Sequence, residues 1–130
     1  DYEFSCSGQE HLGRFSARRL MDLLLFHKES LINILRHADA SRVKIDLQVS
    51  RHGLTLVIAD NGSGLKDSQT NVPASIKRRA GLLRGRAMVN QPGGGGTRIE
   101  LQMRRGWRRY LPWRKHVSDT ESVSSKLPAS

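Results

Sequence analysis

The residues that could do chemistry lie in three short polar groups. Glu29, Asn33 and His37 are spaced four apart within a helical pattern, so their side chains can point into one cavity. The second group is Asp60-Asn-Gly-Ser-Gly64, and the third is Gly94-Gly-Gly-Thr97. A carboxylate can act as a general base, and an amide oxygen is a ligand that Mg²⁺ accepts beside a phosphate. The residue types are therefore those of a metal-assisted phosphate site.

Each group also has a structural explanation. An amphipathic helix needs a polar face, an Asp-Asn-Gly sequence is usually a turn, and a run of glycines is usually a linker. What favours a functional interpretation is that all three occur in one chain, each beside a predicted helix or strand.

The first group is placed by a helix predicted from Ser16 to Ala38, with Ser16 as its N-cap. At about 100° per residue, its polar residues and its leucines fall on different sides. We expect the apolar side to face the core, and it consists of Leu20, Leu24, Leu31, Leu35 and Ala38. The polar side, the candidate site, consists of Glu29, Asn33, Arg36 and His37.

The other two groups are placed by strands. Alternation of apolar and polar residues predicts strands at Tyr2 to Ser7, Arg42 to Ser50 and Thr97 to Met103, and the apolar run Leu54 to Ala59 predicts a central strand antiparallel to its predecessor. Gly8 to Gly13 is predicted to be a loop, a second helix starts at Pro73, and Arg86 to Asn90 is a short strand. The predicted order is β-α-β-β-loop-α-β-β.

Composition limits the class of protein. The net charge of +10, from 22 Lys and Arg against 12 Asp and Glu, favours nucleic acid, a membrane surface or a phosphorylated ligand as partner. The single cysteine excludes an internal disulfide, and the apolar run near Leu20 is too short to span a membrane, so we expect a cytoplasmic location. The chain begins without methionine, so we expect a fragment of a longer protein. We predict a domain at 1–103 and a basic-aromatic, then Ser-rich, weakly ordered tail at 104–130.

The run ESLINILRHADASRVKIDLQVSRHGLTLVIADNGSGL resembles the ATP-binding domain shared by sensor histidine kinases, type II topoisomerases, MutL mismatch-repair proteins and Hsp90 chaperones. It looks closest to the sensor kinases that pair with NarL-type response regulators, and the resemblance covers about Tyr2 to Met103. It implies a Bergerat fold, a two-layer α/β sandwich with a mixed, mostly antiparallel sheet covered on one face by helices.

The resemblance also implies an adenine site. Asp60 matches the acidic residue that accepts a hydrogen bond from the adenine amino group. Gly62 and Gly64 match positions where the base lies close to the backbone. Thr97 matches the threonine whose hydroxyl reinforces the contact made beside Asp60.

The same resemblance places the phosphates and the metal along the long helix. Asn33 matches the residue that holds Mg²⁺ through its amide oxygen. Glu29 matches the acidic residue that polarises a water in the related ATPases and would order the Mg²⁺ shell in a kinase. Arg36 and His37 match basic positions near the phosphates.

One family feature is missing. Where these kinases carry a Gly-x-Gly-Leu phosphate loop in the lid over the nucleotide, this chain has Thr70-Asn71-Val72-Pro73. Glycines there expose backbone N–H groups to phosphate, and proline has no N–H to donate.

Two functions follow from the resemblance. The first is a histidine protein kinase domain that uses ATP and Mg²⁺, with its phosphoacceptor histidine on an upstream dimerisation domain and a response regulator as the next acceptor. The second is a binding module of the same fold that binds ATP weakly and signals through protein–protein contacts. The full-length protein is expected to be a homodimer, with attachment to the inner membrane as an open alternative. An anionic membrane surface is favoured over nucleic acid as partner of the tail, whose basic residues are interleaved with Trp107, Tyr110 and Trp113.

Overall fold

The computed structural model describes residues 1–37, 39–63 and 72–104. Its strands are β1 (Tyr2–Ser7), β2 (Val43–Ser50), β3 (Gly53–Asp60), β4 (Arg86–Asn90) and β5 (Arg98–Arg104). Its α-helices are α1 (Ala17–His37) and α2 (Ala74–Leu82). The predicted order of strands and helices is confirmed. Arg104, the first residue of the predicted tail, instead ends β5, and the rest of that tail, 105–130, lies outside the described residues.

The predicted loop at Gly8 to Gly13 is wrong, because a 3₁₀ helix spans Gln9–Arg14. Gly8 turns the chain at a φ of 73°, and its carbonyl accepts the N–H of His11 at 2.9 Å. The glycine turn correctly marks the end of β1. The residues after it, however, form the i→i+3 hydrogen bonds of a 3₁₀ helix.

The five strands form one sheet in the order β1-β2-β3-β5-β4. β1 pairs parallel to β2, and all other pairs are antiparallel. The sheet is thus mixed and mostly antiparallel, as predicted. The alternating residues of β2 point into the core, and β3 occupies the centre of the sheet. The predicted fold class is confirmed.

Both helices pack on one face of the sheet and share its core. The core contribution of α1 comes from Phe26, Ser30 and Ile34, which are all almost fully buried. From α2 and the turn after it, Ile76, Ala80 and Leu83 are equally buried. Within the described residues, no helix is both long and apolar enough to cross a membrane.

The predicted core face of α1 is wrong at three of its five residues, whereas Leu31 packs against the core and Ala38 lies outside the description. Leu20, Leu24 and Leu35 are 36%, 57% and 71% exposed. They lie beyond His27, whose ring nitrogen is 3.2 Å from the hydroxyl of Tyr2 on the edge strand β1. Because the sheet ends at β1, it does not extend far enough to cover the leucine side of the helix. The buried side is therefore rotated from the leucines toward Phe26 and Ile34.

Candidate functional site

The end of β3 and the residues that lead into β5 meet in the interior. Asp60 ends β3, and its backbone N–H donates to the carbonyl oxygen of Thr97 at 3.0 Å. Both residues are buried, at 9% and 4% exposure. Gly96, with a φ of 88°, makes this approach possible, because a Cβ there would overlap the carbonyl oxygen of Asp60. The structure thus brings together two residues that lie 37 positions apart in the sequence.

Two polar atoms in this pair lack partners. Asp60 Oδ1 accepts the N–H of Gly62 at 2.7 Å. Asp60 Oδ2 and Thr97 Oγ1 are buried and have no hydrogen-bond partner among the described residues. Leaving such a group unsatisfied typically costs ~1–3 kcal/mol, so buried polar atoms are usually paired. Within the part of the chain that the structure describes, the pair therefore retains the capacity for further hydrogen bonds.

The carboxyl of Asp60 is also electrostatically unusual. Burial raises its pKa above the ordinary value of 3.8, and the backbone N–H groups of Gly62 and Thr97 act in the opposite direction. Burial is the larger effect. It removes water from the charged carboxylate and so favours the protonated form. A ligand that donates a hydrogen bond to this carboxyl would compensate for that loss of solvation.

The polar side of α1 forms the second part of the site. The side-chain amide of Asn33 donates to the carbonyl oxygen of Glu29 at 2.9 Å, which fixes the amide and leaves Oδ1 as its acceptor. The Glu29 and Asn33 residues are half-buried, and Arg36 is exposed. The side chain of His37 lies outside the description. Across the described ranges, no group of three or more His, Cys, Asp and Glu side chains could hold a metal ion.

Sheet pairing brings the two parts to the same end of the fold. The chain leaves α1 at His37 and enters β2 at Val43, which pairs with Asp60. The last turn of α1 therefore lies at the end of the sheet that carries Asp60 and Thr97. Gly62 follows there, half-buried, while Gly64 lies outside the described residues.

One residue of this region, Asn61, was not predicted from the sequence to make specific contacts. Asn61 binds the connection between α1 and β2 through its side chain. The Asp-Asn-Gly sequence that contains Asn61 predicts a turn. It does not predict the side-chain contacts that Asn61 makes. Gly96 belongs to the glycine run before Thr97, and its positive φ and close contact with Asp60 show a specific requirement for glycine at this position.

The chain is similar to known sensor kinases. It is 36% identical to the sensor histidine kinase LiaS of Bacillus subtilis over 80 residues, which cover 58% of this chain and 22% of LiaS. It is 32% identical to the nitrate/nitrite sensor protein NarQ of Escherichia coli over 93 residues, covering 68% of this chain and 16% of NarQ. No protein-family model matches the chain.

Solved structures give the same result for the fold. The ATP-binding domain of PrrB from Mycobacterium tuberculosis superposes with a TM-score of 0.54 at 26% identity, covering 65% of this chain and 67% of that one. The chain spans about a fifth of the length of the two curated relatives.

Proposed function

Because the chain carries an ATP-binding domain of the sensor histidine kinase family, we propose that it binds Mg·ATP and presents the γ-phosphate to a histidine on a separate dimerisation domain. The observation that carries this proposal is the buried pair Asp60 Oδ2 and Thr97 Oγ1, neither of which has a partner among the described residues. A response regulator would be the next phosphate acceptor.

The adenine end depends on hydrogen-bond complementarity. The amino group of adenine offers N–H donors, and Asp60 Oδ2 offers a buried acceptor that has no hydrogen-bond partner among the described residues. The hydroxyl of Thr97 can both donate and accept, so it can bind a ring nitrogen or the same amino group. Because the site is buried, each of these bonds forms away from competing water, which strengthens the discrimination between adenine and other bases.

The metal and phosphate end depends on α1. The fixed amide of Asn33 presents a neutral oxygen, a hard ligand that suits Mg²⁺ beside phosphate oxygens and water. Bound Mg²⁺ would neutralise phosphate charge during transfer. Glu29 would order water around the ion, and Arg36 and His37 would supply positive charge to the phosphates. Gly62 and Gly64 would leave room for the base.

A second candidate is a binding module with the same adenine end and an impaired lid. It is favoured by the absence of glycine at Thr70-Asn71-Val72-Pro73. Pro73 is the N-cap of α2 and makes no side-chain capping bond, and it has no N–H for a phosphate. Such a domain would bind nucleotide weakly and signal through contacts with its neighbours.

The partners of the whole protein belong to this proposal as well. We expect a homodimer formed through the dimerisation domain. The basic-aromatic tail would attach to an anionic inner-membrane surface, because about 1 kcal/mol is gained for each basic residue near such a surface.

Calorimetric titration with Mg·ATP tests the site, and Thr97→Val is the informative variant. Valine keeps the shape and removes the hydroxyl, so we expect about three- to tenfold weaker binding, the worth of one neutral hydrogen bond. Thr97→Ser is the matched control and should bind like the parent. Equal binding by the valine variant would remove Thr97 from the site.

Phosphotransfer to a supplied histidine dimerisation domain separates the two candidates. Binding of Mg·ATP with transfer supports the kinase, and binding without transfer supports the binding module. If the unaltered chain does not bind Mg·ATP at millimolar concentration, both candidates are wrong.

A further inference from the structure

Asn61 uses its whole side chain to hold a neighbouring segment. Its Oδ1 accepts the backbone N–H groups of Ser41 at 3.1 Å and of Arg42 at 2.8 Å. Its Nδ2 donates to the hydroxyl of Ser41 at 2.9 Å. The backbone N–H of Asn61 also donates to the carbonyl oxygen of Arg42 at 3.2 Å. Four hydrogen bonds thus join one residue to two consecutive residues.

These bonds lie at a junction of the proposed site. Asn61 directly follows Asp60, the proposed adenine ligand. Ser41 and Arg42 are the last residues before β2, in the short connection that begins where α1 ends at His37. Side-chain bonds from Asn61 therefore connect the adenine end of the site to the segment that ends the metal-binding helix.

The junction needs such a contact because the strand pairing alone does not hold the connection. The ladder between β2 and β3 starts at Val43, opposite Asp60. The N–H groups of Ser41 and Arg42 precede this ladder, and the amide oxygen of Asn61 satisfies both. Without Asn61, this connection would still contact Asp1, whose N-terminal amino group donates to the carbonyl oxygen of Ser41 at 2.8 Å and whose carboxylate lies 3.6 Å from the guanidinium of Arg42. The two N–H groups that Asn61 accepts would lose their partner.

We propose that Asn61 is a positioning residue, which sets the distance between the adenine ligands, Asp60 and Thr97, and Asn33 on α1 without itself touching the nucleotide. This inference rests on the proposed function. A nucleotide that is held at its base and at its phosphates binds with full affinity only when the protein fixes the spacing of these two parts of the site before binding.

A purely structural role makes a different prediction. If Asn61 only stabilised a turn, its loss would lower the melting temperature and would leave the ratio between two ligand affinities unchanged. A positioning role alters that ratio, because adenosine uses only the adenine end whereas Mg·ADP uses both ends.

The test is a set of titrations with adenosine and with Mg·ADP, followed by NMR or calorimetry. For Asn61→Ala we expect adenosine to bind as in the parent and Mg·ADP to bind about three- to tenfold more weakly, the effect of about one net hydrogen bond. Ser41→Ala removes only the bond to Nδ2, so a smaller loss is expected. Asn90→Ala is the matched control, since Asn90 is an exposed asparagine at the end of β4.

Asn61→Ser is a second variant, to be used if Asn61→Ala does not fold. Serine is too short to make the same contacts, so Asn61→Ser should show the affinity changes that are expected for Asn61→Ala. The proposal is overturned if both ligands lose affinity equally, if neither does, or if Asn90→Ala has the same effect. Failure of the unaltered chain to bind either ligand overturns the proposed function and this inference with it.

Discussion

The substitution Asp60→Asn changes one oxygen of a buried carboxyl into an amide nitrogen and keeps the other oxygen. The remaining oxygen can still accept the N–H of Gly62, which is 2.7 Å from Asp60 Oδ1. At Oδ2, which has no partner among the described residues, an acceptor becomes a donor. The variant therefore preserves the loop and reverses the polarity of the atom that is proposed to face the adenine amino group.

The expected loss of affinity follows from that reversal. A hydrogen bond to a charged acceptor is worth ~1.5–3 kcal/mol, or about ten- to a hundredfold in affinity. Because the variant also places two donors against each other, we expect the upper part of this range.

Stability should change in the opposite direction. Burial raises the pKa of Asp60 above 3.8, so the ionised carboxyl is less favourable in the folded chain than in the unfolded chain. At pH values where Asp60 is ionised, this difference lowers the stability of the parent. Asp60→Asn removes that cost, so the melting temperature should stay the same or rise.

Calorimetric titration with Mg·ATP and thermal melts at neutral pH measure the two effects. Asp46→Asn is the matched control, because Asp46 lies in the same sheet with Ser5 and Gln48 donating to its two oxygens, each at 2.8 Å. This control should bind nucleotide like the parent. The reasoning is refuted if Asp60→Asn binds Mg·ATP normally, or if it unfolds at the titration temperature.

Other measurements address the lid, the helix contact, the glycine and the tail. ADP and ATP should bind with similar affinities because the lid lacks glycines, and a tenfold preference for ATP in calorimetry would contradict this. Burial lowers the pKa of His27 below 6.5, so the folded chain favours the neutral imidazole. The free energy of unfolding should therefore fall as pH drops from 6.5 through that lower pKa, and thermal melts of His27→Gln should show a weaker pH dependence. Gly96→Ala should cost more than about 2 kcal/mol in denaturant unfolding, because of its positive φ and the contact with Asp60, whereas Gly93→Ala, with open space around it, should be nearly neutral. Removal of 106–130 should change stability by less than about 1 kcal/mol and weaken binding to anionic vesicles; unchanged vesicle binding would exclude a membrane role for the tail.

Strands were the most predictable part of the fold. The alternation in β2 and the apolar run in β3 each identify a strand, and the two-residue turn between them, Arg51-His52, requires an antiparallel pair. The parallel pairing of β1 with β2 carries no comparable local signal, because it depends on a helical crossover and on the shape of the whole sheet.

The orientation of α1 was not predictable from its own sequence. Two apolar arcs adjoin on this helix, one with Leu20, Leu24 and Leu35 and one with Phe26 and Ile34. The helical period identifies both arcs and does not say which one meets the sheet. Burial in the folded chain shows that the arc with Phe26 and Ile34 meets the sheet, whose edge strand is β1.

The residue types of the candidate site were predictable from the sequence. The contacts that join its segments to one another were not. The resemblance named Asp60 and Thr97, and the structure places them in direct backbone contact. The contacts of Asn61 with Ser41 and Arg42 depend on how the end of β3 meets the start of β2, which no local pattern encodes. Long-range contacts of this kind become visible only once strand pairing and register are known.

The two ends of the proposed site are held by separate contacts. The proposed adenine ligands, Asp60 and Thr97, are joined by a backbone hydrogen bond beside the β3–β5 pairing, and Asn33 is fixed by its bond within α1. These contacts join residues outside positions 70–73, so we expect the proposed adenine and metal ends to tolerate the missing glycines. In the proposed site, the γ-phosphate is the part of ATP that would rely on the lid. Loss of the lid glycines should therefore reduce phosphate-dependent affinity and transfer before it reduces adenine recognition.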